Sequence, residues 1–430
     1  MRRISRRNFM GSVGAAAALS VSARAVRGSI GERIRLGLIG CGWWGTRVLE
    51  AAHHVGGVET VALCDVDSAH LDQVAETVAQ LQERPPAKFK DYREMLGGSD
   101  MDAVIIGTPP HWHALQFIAA CRRGLHVYCE KPLSYDVREG QAMVREARKA
   151  GNVVQVGFQR RQTEAVRQAA DFIRSGGAGR ILQVEAQIHY AAEPRDTTVQ
   201  EPPATLDWDF WCGPAPLLPY RPSIGHFAWR LEKEYGHGHL VDWGIHWIDA
   251  IRNVLDLGMP RRVQAAGGLY VLEGAITTPD ILTATWEFED LPVTWRHRIW
   301  GAAEYDPTTA NGIFFFGEKA TVFVNDGRWE VVPRGQGGER QVHEVRSEKD
   351  PLELHVAEFL AAVRGEGRVS CPVREAFQST TAVHLAMIAL ESESVVRWHP
   401  GAEEILDNPR AAALLRRPYR QPWRHPYDES

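Results

Sequence analysis

Asp242, His246, Asp249 and Asn253 recur at i, i+4, i+7 and i+11 in the segment from His239 to Leu255, whose other positions are mostly Val, Trp, Ile and Leu. On a helix, that spacing puts all four on one face. A polar stripe on an apolar helix must meet water, a partner or a cavity, because burying each group unpaired costs roughly 2–7 kcal/mol. An Asp/His/Asp stripe is suited to moving a proton: a carboxylate can hold an imidazole that takes or returns a proton near neutral pH. Lys131 is a further candidate. It follows the apolar run His126 to Cys129 and precedes Pro132, which favours an extended conformation and sets its direction. Its ammonium could hydrogen-bond a substrate hydroxyl and shuttle the proton, or it could simply pair with Glu130 at the surface.

A second set of residues has the spacing of a dinucleotide site. Ile34 to Ile39 reads as a short strand, Gly40-Cys41-Gly42-Trp43-Trp44-Gly45 is G-x-G-x-x-G, and a helical stretch then leads to Val61–Cys64 and Asp65. Gly40 permits a tight turn, Gly42 a close approach to pyrophosphate, and Gly45 packing of the helix on the strand. The helix start offers unpaired N–H groups to phosphate oxygens. Asp65 would accept hydrogen bonds from the adenosine ribose and repel a 2′-phosphate, so NAD is expected rather than NADP. Trp43 and Trp44 would cover the pyrophosphate or pack against a second domain.

Groups that must be held this accurately need rigid supports. Ser68 can cap a helix reaching Gln82, and Ala103 to Gly107 is a continuous apolar run, as a buried parallel strand should be. Thr108-Pro109-Pro110 ends that run where the nicotinamide half of a cofactor would lie, and a helix is expected from about His113 to Arg123. Glu130 and Lys131 stand at the edge of the next strand, a helix spans Val137 to Ala150, and Val153–Val156 is another strand. The alternation implies an α/β doubly wound parallel sheet with ligands outside the carboxyl ends of its strands. Thr108, Pro109, His113 and Glu130 therefore join the cofactor candidates.

Beyond it come a helix from Gln162 to Ser175, a strand from Ile181 to Tyr190, and a loop rich in Pro, Asp and Trp from Pro194 to Pro222, expected to pack over the domain junction. Strand-length runs follow at Arg262–Val271, Ile281–Phe288, Val293–Ile299, Ile313–Phe316, Ala320–Val324 and Arg328–Val332, then helices at Leu352–Val363 and Val373–Val396. The expected units are a leader and linker (1–30), a dinucleotide domain (31–157), a substrate and oligomerisation domain (158–405) and a tail (406–430) that wraps over the body or a neighbour.

Glu130-Lys131-Pro132 behind a G-x-G-x-x-G domain, followed by Asp242-Trp243-Gly244-Ile245-His246, resembles the glucose–fructose oxidoreductase/inositol dehydrogenase (Gfo/Idh/MocA) family. The resemblance spans Arg33 to about Trp398. It implies an N-terminal Rossmann domain, an α+β C-terminal domain with an open, mostly antiparallel sheet, a nicotinamide cofactor, and a sugar or cyclitol substrate. It also implies a homodimer or homotetramer formed through the open sheet face. Asp242 and His246 match the family's catalytic pair and Asp249 a substrate contact. In this reading His246 is the base, Asp242 orients it, and Lys131 stabilises the oxygen; whether His246 or Lys131 takes the proton stays open. Arg160 matches a family position near cofactor and substrate, and Trp229 and Arg230 are candidate sugar contacts. The family's sequence before the helix is Gly-rich, so His237 and His239 are departures that would narrow the pocket or touch substrate.

Ser5-Arg6-Arg7-Asn8-Phe9-Met10, an apolar stretch to Val21 and Ala23-Arg24-Ala25 have the order of a twin-arginine export signal with its cleavage site. Periplasmic residence, delivery by the twin-arginine machinery and no membrane anchor are the expectations. The formal charge is −5, and the first 25 residues hold five Arg and no acid, so the remainder is near −10. Such a balance gives no support to nucleic-acid or anionic-membrane binding. The six cysteines have no C-x-x-C spacing and read as small core residues. No His or Cys pattern supplies a recognised metal set, so no metal is expected. Three functions remain open: oxidation or reduction of a sugar hydroxyl, glycoside cleavage by transient oxidation, and non-catalytic NAD binding.

Overall fold

The computed structural model describes residues 32–192, 195–302, 304–335 and 338–429. The leader and its export motif lie outside the described residues. The first unit alternates β1 (Ile34–Ile39), α1 (Trp43–Val55), β2 (Val58–Cys64), α2 (Ser68–Leu81), β3 (Ala87–Phe89), α3 (Tyr92–Gly98), β4 (Ala103–Ile106), α4 (Pro110–Arg122), β5 (His126–Cys129), α5 (Val137–Ala150) and β6 (Val154–Val156). Its six strands are parallel in the order β3-β2-β1-β4-β5-β6. Helices cover both faces, which is why β4 and β5 are buried at every position. Chain connections run outward in opposite directions from β1 and β4, opening a crevice beyond their carboxyl ends. Ile39 pairs with Ile106 there, so the turns that follow lie side by side.

Two helix starts differ from the sequence reading. Asp67, rather than Ser68, caps α2 by accepting from the Ala69 N–H at 2.9 Å. Helix α4 begins at Pro110 instead of His113, since proline at the first position gives up an N–H that would have no partner anyway.

The second unit contains α6 (Glu164–Arg174), β7 (Ile181–His189), the short α7 (Trp208–Cys212) and α8 (Lys233–Gly236), and α9 (Ile245–Leu255). Strands β8 (Arg262–Gly268), β9 (Ile281–Glu287), β10 (Pro292–Arg298), β11 (Asn311–Gly317), β12 (Ala320–Val324), β13 (Arg328–Pro333) and β14 (Gln341–Glu344) follow. Then come α10 (Pro351–Arg364), α11 (Val373–Glu391), β15 (Val396–His399), β16 (Glu404–Leu406) and α12 (Pro409–Ala413). The ten-stranded sheet is antiparallel except where β7 meets β10. The inner face buries Trp286, Trp295 and Phe315 against the helices, while Phe314 and Phe316 stack on the outer face at 6.1 Å.

Helix α11 stops at Glu391, and Glu393 turns left-handed (φ 52°), so Val396–His399 joins the sheet rather than extending the helix. The alternating burial of Val396 and Trp398 is what a half-covered strand requires. Helix α10 returns to the first unit: Leu352, Val356, Phe359 and Leu360 share a cluster with Val48, Ala52 and Tyr128. The tail wraps the same body. Arg417 lies 3.7 Å from the Tyr135 ring centre, and His425 pairs with Asp136 at 3.0 Å. All six cysteines are buried free thiols. Among the described residues no helix is long and apolar enough to cross a membrane.

Candidate active site

The glycine turn has the form a pyrophosphate needs. Gly40 is left-handed (φ 93°), and a Cβ there would come within 2.7 Å of the Thr108 nitrogen. A Cβ on Gly45 would lie 2.0 Å from the Gly40 carbonyl oxygen, whereas one on Gly42 would meet nothing, because Gly42 faces open space. No side chain caps α1 and its first turn holds no acid, so its N–H groups remain for phosphate oxygens. Asp65 accepts from the Cys41 N–H at 2.6 Å and the Asp67 N–H at 2.8 Å, pinning the turn while its carboxylate borders a 240 Å³ compartment. That compartment is also bounded by Gly40, Gly42, Trp43, Trp44, Thr108 and Pro109.

A second compartment of 670 Å³ adjoins it, sharing Trp43, Trp44, Thr108, Trp229 and Arg230 as common walls. Glu130, Lys131, Arg160, Asp242 and His246 line this half. Lys131 donates to Asp242 Oδ1 at 2.8 Å and to the Asp242 carbonyl at 2.7 Å. Burial alone would raise the Asp242 pKa, but the charges of Lys131 and Arg230 outweigh it and hold the carboxyl below its ordinary value. Arg230 Nε lies 3.4 Å from Asp242 Oδ1. Burial, reinforced by the charges of Arg160 and Lys131, keeps the His246 imidazole neutral well below its usual range. Its Nδ1 has no hydrogen-bond partner among the described residues. Burial raises the Glu130 carboxyl to about 7; Glu130 accepts the Lys131 N–H at 3.1 Å.

Three expectations are corrected by this geometry. Asp242 makes no hydrogen bond to His246 among the described residues; its Oδ1 faces Lys131 and Arg230 instead. Asp249 does not reach the cleft. It is 1% exposed, its oxygens accept from Arg161 at 2.6 and 2.8 Å, and Ser379 donates to it at 2.7 Å. The reason lies in its partners: Arg161 and Ser379 arrive from other elements and take up the Asp249 carboxylate, while a wider π turn over Leu240–Gly244 shifts Asp242 relative to the residues of α9. Gly244 lets Trp295 pack against that turn, since a Cβ there would stand 3.0 Å from the indole. His113 lies behind the wall, its ring nitrogens 2.8 Å from the Pro132 carbonyl and 2.7 Å from that of Thr108, bracing both turns.

The other candidates reach the cleft. Arg160 lies against Trp243 and Trp247, 4.7 and 4.4 Å from the ring centres, and pairs with Asp326. Trp43 meets Phe227 edge-on at 5.6 Å, joining the two units above the compartments. The Trp-rich loop covers the junction as expected: the Trp211 carbonyl accepts from the Trp112 indole at 2.8 Å. His237 turns away and bonds the Tyr135 carbonyl at 3.0 Å, so only His239 of the two unusual histidines lines the cleft. Tyr190, Arg195 and Asp326 also line it. No short spacing pointed to them, because each arrives from a separate loop or strand end. Asp67, His70 and His226 bring metal-ligating atoms within 4.8 Å of one another, as do Asp136, Glu139 and His425, but the Asp67–His226 and Asp136–His425 hydrogen bonds already account for their closeness.

Three family models match in succession: the oxidoreductase family NAD-binding Rossmann fold over 34–158, the GFO/IDH/MocA C-terminal domain over 166–323, and the oxidoreductase family C-terminal alpha/beta domain over 339–425. The chain belongs to the Gfo/Idh/MocA family. Its N-terminal unit is accordingly an NAD-binding Rossmann domain. A glycosyl hydrolase family 109 protein of Shewanella baltica (strain OS155 / ATCC BAA-1091) is 30% identical over 215 residues, 43% of this chain and 46% of that protein. Inositol 2-dehydrogenase of Salmonella paratyphi B is 31% identical over 161 residues, 37% of this chain and 46% of that one. The matches thus span about half the length of these curated relatives. The WlbA dehydrogenase of Bordetella pertussis, solved with NADH and UDP-GlcNAcA, shares the fold at a TM-score of 0.66 and 20% identity, over 85% of this chain and 99% of that one.

Proposed function

We propose that this protein is an NAD-dependent oxidoreductase acting on a secondary alcohol of a sugar, cyclitol or sugar derivative. The observation that carries this reading is the 2.8 Å Lys131–Asp242 contact in the wall of a cleft continuous with the glycine-turn compartment. Bound NAD supplies a hydride acceptor. Asp242 aims the Lys131 ammonium, which hydrogen-bonds the reacting oxygen and stabilises the negative charge that develops on it. His246 takes the hydroxyl proton, because its imidazole is neutral, whereas Lys131 already donates to Asp242 Oδ1 and to the Asp242 main-chain carbonyl. Trp43, Trp44 and Trp229 form walls shared by the cofactor and substrate compartments. Arg230 completes the substrate side by bracing Asp242.

One specific observation supports a second reading, the resemblance to glycosyl hydrolase family 109 proteins. In that reaction the hydride is removed and then returned, so a glycoside is cleaved without net redox change. Residues 1–30 are read as a twin-arginine signal and linker, and the mature enzyme as periplasmic on that reading. Free NAD is not expected to be plentiful there, so the enzyme would hold its cofactor through many turnovers. A homodimer or homotetramer through the outer face of the large sheet belongs to the same reading.

Denaturing the purified protein and measuring released nucleotide tests cofactor retention. A panel of sugars and glycosides, read by bound-nucleotide absorbance near ~340 nm, tests the reaction. Reduction of nucleotide by free sugars supports the dehydrogenase, and glycoside cleavage without net reduction supports the second reading. Nucleotide binding with neither overturns both and leaves a non-catalytic NAD-binding protein.

A further inference from the structure

His239 has a chemical state that the reaction above leaves unused. It stands on the same cleft wall as Lys131, Asp242 and His246. The residue is 2% exposed, and its Nε2 has no hydrogen-bond partner among the described residues. The neighbour behind it cannot supply one. His297, with its ring centre 5.2 Å away, accepts the Trp295 indole N–H at Nδ1 (3.0 Å), and its Nε2 donates to the Pro279 carbonyl (3.1 Å). Both His297 nitrogens are therefore occupied. Burial and the neighbouring His297 press His239 down to about 3, so it is a neutral imidazole with one donor and one acceptor. A buried nitrogen left unpaired costs about 1–3 kcal/mol, a penalty that a ligand hydroxyl would remove. The ring centre of Tyr190 lies 5.2 Å from that of His239, and Tyr190 also lines the cleft, offering an apolar surface to the C–H face of a sugar ring. Asp242 is near enough for its charge to act on the His239 imidazole, and both residues line the same cleft.

We propose that His239 is a specificity-determining residue whose imidazole binds a substrate hydroxyl other than the one handled by Lys131 and His246. This rests on the dehydrogenase reading, and the experiment keeps the two separable. Wild-type, His239→Leu and His239→Asn holoenzymes are compared on glucose, galactose, N-acetylgalactosamine, myo-inositol and levoglucosan. For the compound that best reduces the bound nucleotide, each monodeoxy analogue is added. The expected result is a KM raised about tenfold in His239→Leu with kcat little changed, the scale of one hydrogen bond. One monodeoxy analogue should be penalised in the wild type but not in His239→Leu, and His239→Asn should recover part of the loss. Retained nucleotide and unchanged circular dichroism identify properly folded variants, and if His239→Leu fails that check the same comparison is made on His239→Asn alone. Equal KM values in the folded variants, or a deoxy penalty that persists in them, overturn the assignment of His239 while leaving the dehydrogenase intact. If no compound on the panel reduces or quenches the holoenzyme, the dehydrogenase reading falls and this proposal falls with it.

Discussion

Two buried ion pairs flank the same helical segment and differ in how completely they are satisfied. Arg161–Asp249 is closed on all sides: Arg161 also donates to the Ser370 carbonyl, and Ser379 links Asp249 to Arg252 at 2.7 and 2.6 Å. Lys131–Asp242 is nearly as short, at 2.8 Å against 2.6 Å, but it borders a cleft in which Nδ1 of His246 and Nε2 of His239 have no partner among the described residues. The first pair has nothing left to offer a ligand. The second is surrounded by unspent donors and acceptors, and a ligand would complete it. Buried charge alone is therefore a poor marker of chemistry; unsatisfied polar atoms beside a cavity are a better one.

The largest expected effect concerns buried imidazoles of both regions. His111 and His239 are pressed by burial to about 3, and His113, His297 and His355 to about 4. Each binds fewer protons folded than unfolded below its ordinary value near ~6.5, so its contribution is full above that pH and is lost as pH falls toward the folded value. Each contributes at most ~1.4 kcal/mol per pH unit. Glu130 and Glu139, raised by burial to about 7, act oppositely: their stabilisation is full below an unfolded value of ~4.5 and fades as pH rises through 7. These five imidazoles against two carboxyls predict a steep loss of stability from about pH 6 to 4.5, measured as a falling urea midpoint. A flat profile would show that the imidazoles are solvated in both regions.

Breaking the closed pair comes next. Asp249→Ala should cost about 3–5 kcal/mol, because Arg161 is left as an uncompensated buried charge. Protein that still folds should retain a near-native rate; a loss of turnover with unchanged melting temperature would return Asp249 to the substrate site. The open pair should respond the other way. Lys131→Ala and His246→Ala are expected to lower turnover by about 10² or more, with nucleotide still bound, since neither holds the pyrophosphate. Near-native rates in both would move the chemistry elsewhere. The smallest effect is expected at Asp65→Ala: roughly tenfold weaker discrimination against NADP, from loss of the repelling carboxylate, read from bound-nucleotide identity and competition. An unchanged preference would mean that Asp65 acts only on the glycine turn through the Cys41 and Asp67 N–H groups.

Local order carried much of this protein. G-x-G-x-x-G between a strand and a helix, Asp65 at the end of the next strand and the apolar runs of β4 and β5 are short-range patterns, and each names its own geometry, because a turn, a cap or a period involves only neighbouring residues. Glu130-Lys131-Pro132 and Asp242–His246 stand out through their resemblance to family motifs, since the residues alone leave Lys131 open between a catalytic and a surface role. The partners of those residues are not legible. Helical spacing places Asp242, His246 and Asp249 on one stripe, yet the π turn over Leu240–Gly244 shifts Asp242, and Arg161, arriving from another element, holds Asp249 in the core. Sequence likewise treats His237 and His239 alike, while the backbone turns one toward Tyr135 and the other into the cleft. Lys131 finds Asp242 across 111 positions, and α10 folds back onto a helix some 300 residues earlier. Residue type and spacing determine which groups are available; only tertiary packing decides which of them are consumed by one another and which are left for a ligand.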